Sequence, residues 1–261
     1  MKIQTSLQVI TFCVLSTLSF TNCSSYGPAT LGNPSAHITR PWYEGEPTSS
    51  INICGRATTG NTYDINEKNR FGEASLSYSR VFDGGHLAFN AGGYLGSYYT
   101  KNSSNTPFRY SGSTVRGEVG FRVPPLRHLF DRRVISSPSS ESSFGFSYAW
   151  TTEYGDYYRL REIPRDTSLN RLYQSSHHLH SFVMFREFRE QLNETDMVGL
   201  RTQCGLGVEG SDFSNLQMNV TLHYTHKMFT VYGQFGTSLD AHMSRIVPTI
   251  GLGVNYCLWI K

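Results

Sequence analysis

The chain has 261 residues, 23 basic and 20 acidic side chains, 24 glycines, 13% aromatic residues and only 16% charged residues, for a formal charge of +3. Those values exclude a disordered chain, which is charge-rich and aromatic-poor, and a nucleic-acid binder, whose basic charge is larger and clustered. No stretch beyond the leader reaches the roughly 18 apolar residues of a spanning helix, so a Gly- and aromatic-rich β protein remains, long enough for one large barrel or sandwich.

The first element is an export signal over residues 1–22. Met1 and Lys2 give a positive start, and Val9 to Phe20 is an apolar stretch of 12 residues, the length of a signal-peptide core and too short to span a bilayer. Cys23 closes that run and opens a Ser-rich stretch, which resembles the lipobox of bacterial lipoproteins. The resemblance implies lipidation at Cys23; an ordinary cleaved secretory signal is the alternative. Residues 23–50 show no periodicity and read as a flexible tether.

From 51 onward apolar and polar residues alternate, the period of a strand with two unlike faces. In 114–123, Val115, Gly117, Val119, Phe121 and Val123 oppose Thr114, Arg116, Glu118, Gly120 and Arg122. Segments 198–209 and 216–224 repeat the pattern, and weaker versions occupy 51–59, 71–82, 86–99, 143–156, 178–190, 228–238 and 247–260. Most of the ten are longer than the roughly 5 or 6 residues of a globular strand and match the 9–11 or so that a tilted transmembrane strand needs. Asp83-Gly84-Gly85 and His226-Lys227 mark tight hairpin turns on the side of the chain ends. The longer polar loops 60–70, 100–113, 157–177, 210–215 and 239–246 fall on the other side, while 124–142 is long where a short turn is expected.

These features resemble a small bacterial outer-membrane β-barrel, down to the final segment Gly253-Val254-Asn255-Tyr256-Cys257-Leu258-Trp259, which is similar to the terminal strand signal of that class. The expected fold is all-β: an antiparallel up-and-down transmembrane barrel of about ten strands, in the range eight to twelve, over 51–261. A soluble lipocalin-type barrel has the same period with the faces exchanged. The polar wall here is small and neutral with scattered charges (Glu73, Arg116, Glu118, Arg122, Arg201 and Glu209), which suits a narrow, partly filled lumen with charges paired across it. Tyr98, Tyr99, Trp150, Tyr154, Tyr157, Tyr256 and Trp259 crowd strand ends, where interface girdles form.

Cys54 and Cys257 lie on the polar face of the first and last strands, which adjoin in a closed barrel, so a disulfide across the seam is expected. Cys204 points to the apolar wall. The runs His177-His178-x-His180 and His223-x-x-His226 lack ligating companions at a metal spacing, and no metal or cofactor is expected. Asp240-x-His242 falls in an outer loop and resembles the Asp-x-His pair of the outer-membrane omptin proteases, although their Asp-x-Asp partner motif is missing. Asp240 and His242 are the weak catalytic candidates.

The reading is a non-enzymatic barrel of the bacterial outer membrane: an envelope structural protein, a narrow pore or a surface-interaction protein. Membrane lipid and the barrel-assembly machinery are its expected partners, with no nucleic acid. The alternatives are a soluble lipid-anchored barrel binding a small apolar ligand and an omptin-like outer-loop hydrolase. Outward or inward placement of the apolar wall of 114–123 separates the first two.

Overall fold

The computed structural model describes residues 36–61, 68–99, 107–123, 140–162, 177–209, 212–240 and 246–261. Ten long strands form the wall: β1 (Thr48–Asn61), β2 (Lys68–Phe82), β3 (Gly85–Tyr99), β4 (Phe108–Val123), β5 (Ser140–Thr152), β7 (His178–Gln191), β8 (Asp196–Glu209), β9 (Asp212–His226), β10 (Phe229–Asp240) and β11 (Ile246–Ile260). A two-residue strand β6 (Tyr154–Gly155) and a short helix α1 (Asp156–Glu162) interrupt the meander between β5 and β7. Each long strand pairs antiparallel with the next, and β1 pairs with β11, so the sheet closes into a ten-stranded barrel.

Alternation dictates which side chain faces where. On β4, Val115 and Phe121 are about half exposed on the outside, while Thr114, Arg116 and Glu118 are buried inside. The same outward belt takes in Leu76, Phe89, Leu95, Phe182, Leu222, Phe235, Leu252 and Val254, all exposed. On the outer face, Arg70, Arg80 and Arg109 fall toward strand ends, whereas Arg186 is the ninth of the fourteen residues of β7. On β2, the ten residue steps from Arg70 to Arg80 span about 33 Å along the strand, or about 25 Å of height at the usual tilt. That is the height of the apolar band of outer-membrane barrels. A soluble barrel binding an apolar ligand requires the faces exchanged, and they are not.

Element positions follow the sequence pattern, but β4 begins at Phe108 and β9 at Asp212, inside the expected loops 100–113 and 210–215, and three further differences stand out. Strand β5 stops at Thr152 rather than running to 156. Gly155, at φ +114° in the left-handed region that only glycine enters freely, turns the chain inward, and α1 takes Asp156, expected as the strand's last residue, and runs on into the expected loop 157–177. The β9–β10 turn is centred on Lys227 and Met228, one residue later than His226-Lys227, with Lys227 at φ 52°. Finally, Tyr98 and Tyr157 do not belong to an interface girdle. Both are buried inside and stack on each other at 4.1 Å, because Tyr98 shares the parity of the lumen-facing Asn90 and Tyr94. Tyr99, Trp150, Tyr154, Tyr256 and Trp259 are exposed.

Candidate functional site: a filled lumen

Of the stretch 36–47, which lacks periodicity and reads as a tether in sequence, residues 36–43 are buried or partly buried, and only 44–47 are exposed. The stretch leaves β1 at the barrel end that carries the short turns (the near end) and runs inward. Ala36, His37, Ile38 and Arg40 are all buried. At the near end Trp42 lies under the Arg189 guanidinium and Tyr43 under that of Arg122, an arrangement that favours cations over aromatic faces. Further in, Asn52 Nδ2 and Ser79 Oγ donate to the Thr39 carbonyl, at 3.4 and 3.2 Å. Asn255 Nδ2 donates to the His37 carbonyl at 3.0 Å, and Arg189 Nη1 to the Arg40 carbonyl at 2.9 Å. Deepest, the Ala36 amide donates to Glu73 Oε1 at 3.3 Å and its carbonyl accepts from Arg116 Nη1 at 3.3 Å. An unpaired strand-like segment would leave its backbone groups orphaned in a narrow lumen; these side chains stand in for a sheet partner.

The charges around the segment form a set of buried ion pairs, a network centred on Glu118 and Glu187 with the pairs Arg56–Glu73 and Arg189–Glu141 beside it. Glu118 accepts both terminal nitrogens of Arg201, at 2.9 and 2.6 Å, and Arg116 at 2.7 Å, with His86 Nε2 at 3.0 Å. Arg40 reaches from the segment to Glu187 at 2.6 Å and also contacts His86. Arg56 pairs with Glu73 and Arg189 with Glu141, each at 2.5 Å. Burial makes such pairs expensive to break, since either partner left alone is an uncompensated charge.

Of the lumen charges read from sequence, Glu73, Arg116, Glu118, Arg201 and Glu209 are buried inside, and the first four join the set. Arg122 sits at the near mouth, partly exposed, 3.8 Å from Asp83 and 3.9 Å from Glu141. Sequence reasoning missed Arg40, Glu187, Arg189, Glu141 and His86 as members. Parity within 178–190 would have exposed Glu187 and Arg189, but the bulky run Phe182–Phe188 blurred it. Arg40 had no strand pattern to reveal it.

Six rings line the wall by one rule: each lies over the glycine directly opposite on the neighbouring strand. The pairs are His86 with Gly120, Tyr94 with Gly112, Tyr110 with Gly96, Phe185 with Gly145, His223 with Gly199 and Tyr232 with Gly253. A methyl group on any of these glycines would overlap its ring. Toward the far end, Phe71, Tyr94, Tyr98, Tyr110 and the α1 residue Tyr157 form a buried cluster. Tyr94 Oη donates to the Thr152 carbonyl at 2.5 Å, and Tyr110 Oη to Asn69 Oδ1.

The seam disulfide is not formed. Cys54 and Cys257 are buried on the lumen side of adjacent strands, but Cys54 stands opposite Asn255 and Cys257 opposite Asn52. Such diagonal neighbours lie about 7–8 Å apart, beyond disulfide reach. Cys54 Sγ instead shares a hydrogen bond with Tyr232 Oη at 3.1 Å, and Cys257 Sγ donates to the Trp259 carbonyl at 3.4 Å. Cys204 is partly buried on the outward side. Cys23 and His242 lie outside the described residues; Asp240 ends β10 with its side chain undescribed. Of the histidine runs, His178 and His180 face outward and stack on Trp150 and Tyr148, as residues of an interface do. Among the described residues, metal-ligating types converge at His37, Glu187 and His223.

An apolar exterior bounded by charges, a salt-bridged polar interior and a closed wall define a transmembrane β-barrel of the outer-membrane type. No family model matches the chain, and no curated protein does. Solved structures that match include the translocator domain of the autotransporter NalP from Neisseria meningitidis, 9% identical with a TM-score of 0.40 over 81% of this chain and 88% of that one. The β domain of the Bordetella autotransporter BrkA is 10% identical, with a TM-score of 0.43 over 81% and 99%. The KdgM porin is 13% identical, with a TM-score of 0.32 over 78% and 98%. Likeness at that level is too slight to argue from, so the class rests on the chain's own architecture.

Proposed function

We propose that the chain is a non-enzymatic barrel of the bacterial outer membrane, closed at rest by its own residues 36–47, and that it serves as an envelope structural protein rather than an open diffusion pore. The near end faces the periplasm, in keeping with the rule that short turns lie on that side. One observation carries the reading. Arg40 of the segment is ion-paired to Glu187 of the wall at 2.6 Å, with both side chains about 1% exposed. A water-filled passage at that level would hydrate both groups; instead they are dry and matched. The buried aromatic cluster that includes Tyr157 of α1 lies toward the other end.

The test is conductance in a planar lipid bilayer, in EDTA. Full-length barrel should give no stable single-channel steps, and deletion of residues 36–47 should produce them. Steady conductance by the full chain, equal to that of the deletion, would reject the closed reading. Failure of either protein to enter bilayers while remaining soluble without detergent would reject the membrane barrel itself.

A further inference from the structure

His37, Glu187 and His223 each bring one ligating atom within 4.8 Å of the other two, and all three residues are buried. His37 belongs to the inserted segment, Glu187 to β7 and His223 to β9. His223 Nε2 is 3.2 Å from Glu187 Oε1, and the two imidazoles stack with centroids 4.5 Å apart and planes 28° from parallel. Donors around a tetrahedral zinc at about 2.0–2.2 Å stand about 3.4 Å from one another. The His223–Glu187 pair is therefore at coordination spacing, and the set needs a closing movement of up to about 1.4 Å.

Two further facts single out the cluster. Nδ1 of His37 and Nδ1 of His223 are both buried without a hydrogen-bond partner, on residues 3% and 5% exposed. Buried polar groups are seldom left so; His223 meets Glu187 through Nε2, so its Nδ1 lies on the opposite side of the ring from that contact. Glu187 also divides its oxygens: Oε2 takes Arg40 at 2.6 Å and Arg201 at 3.6 Å, which leaves Oε1 toward the imidazoles. A ligating carboxylate is ordinarily held from behind in this way.

We propose that these three residues form a binding site for a divalent cation of the zinc class, which would clasp the inserted segment to the wall. The proposal rests on the plugged-lumen reading above. Two imidazoles and one carboxylate suit zinc and its late first-row neighbours, whereas calcium and magnesium take oxygen ligands. Arg40 and Arg201 oppose a further cation and temper its affinity.

The experiment uses tag-free full-length barrel in detergent, stripped with EDTA and titrated with zinc alone, with metal analysis after desalting. One zinc per chain is expected, bound at least about tenfold more weakly in His37→Gln and in His223→Gln. His180→Gln, on the outer face, should leave binding unchanged. His37 is not part of the wall, so His37→Gln tests the site even if His223→Gln fails to fold, and heat-dependent gel mobility reports folding for each. No zinc retained by the folded wild type, or equal binding by His37→Gln, overturns the site. The conductance test in EDTA stands apart: a closed barrel without zinc binding sinks the site alone, and an open barrel sinks the plug.

Discussion

Glu118 is the place where the lumen's energetics are most exposed to test. Its two oxygens accept Arg201 twice, at 2.9 and 2.6 Å, Arg116 at 2.7 Å and His86 at 3.0 Å. Glu118→Gln keeps the shape but removes the charge and turns an NH₂ group toward a guanidinium. Arg201 then keeps only Glu187, at 3.6 Å, as its other recorded carboxylate partner. Breaking a buried pair from one side costs about 3–5 kcal/mol, because the remaining charge is desolvated without compensation. Exposed pairs contribute only about 0–1 kcal/mol, so the size of the effect reports whether the lumen is dry. Urea unfolding in detergent micelles, followed by tryptophan fluorescence and extrapolated linearly, measures it. Replacing Glu118, Arg116 and Arg201 together by Leu, Met and Met should recover much of the loss, since the desolvation cost leaves with the charges. A Glu118→Gln loss under about 1 kcal/mol would refute the reasoning and mean that water screens these groups.

Leu222 is 63% exposed on the outer face of β9, so Leu222→Arg should cost about 2–4 kcal/mol in vesicles if that face meets lipid at mid-depth; a neutral result would place it in water. Gly253→Val drives a branched side chain into the Tyr232 ring and should cost about 1–3 kcal/mol as overpacking, where Gly55→Val on the outer face, with nothing near its missing side chain, should cost little. Cys54 and Cys257 should both alkylate in unreduced, denatured protein by mass spectrometry; a linked peptide pair would contradict the register of the seam.

The strands were legible because one physical fact, alternation between lipid and lumen, is written at every second residue. It puts Val115 and Glu118 on opposite faces, and the small, neutral make-up of the polar wall points to Glu118 as the one facing the lumen, where it lies. Legibility failed where the cause is not periodic. Residues 36–47 carry no strand pattern because they pair with side chains rather than with a sheet, and Arg40 in isolation looks like any loop arginine. Tyr98 was misplaced by its position near a strand end, although its parity pointed inward. The short helix α1 was hidden for a related reason: its ordering comes from Tyr157 stacking on Tyr98, a contact between residues 59 positions apart, not from an amphipathic repeat.

The inserted segment also bears on how the barrel comes together. The Thr39 carbonyl is held by Asn52 on the first strand and the His37 carbonyl by Asn255 on the last. Those two strands are the farthest apart in the chain, and their union is the final step in forming a closed wall. Thr39 and His37 lie two residues apart, so a single short peptide touches both sides of the closing edge. In the closed ring, the first and last strands therefore meet the same three-residue surface.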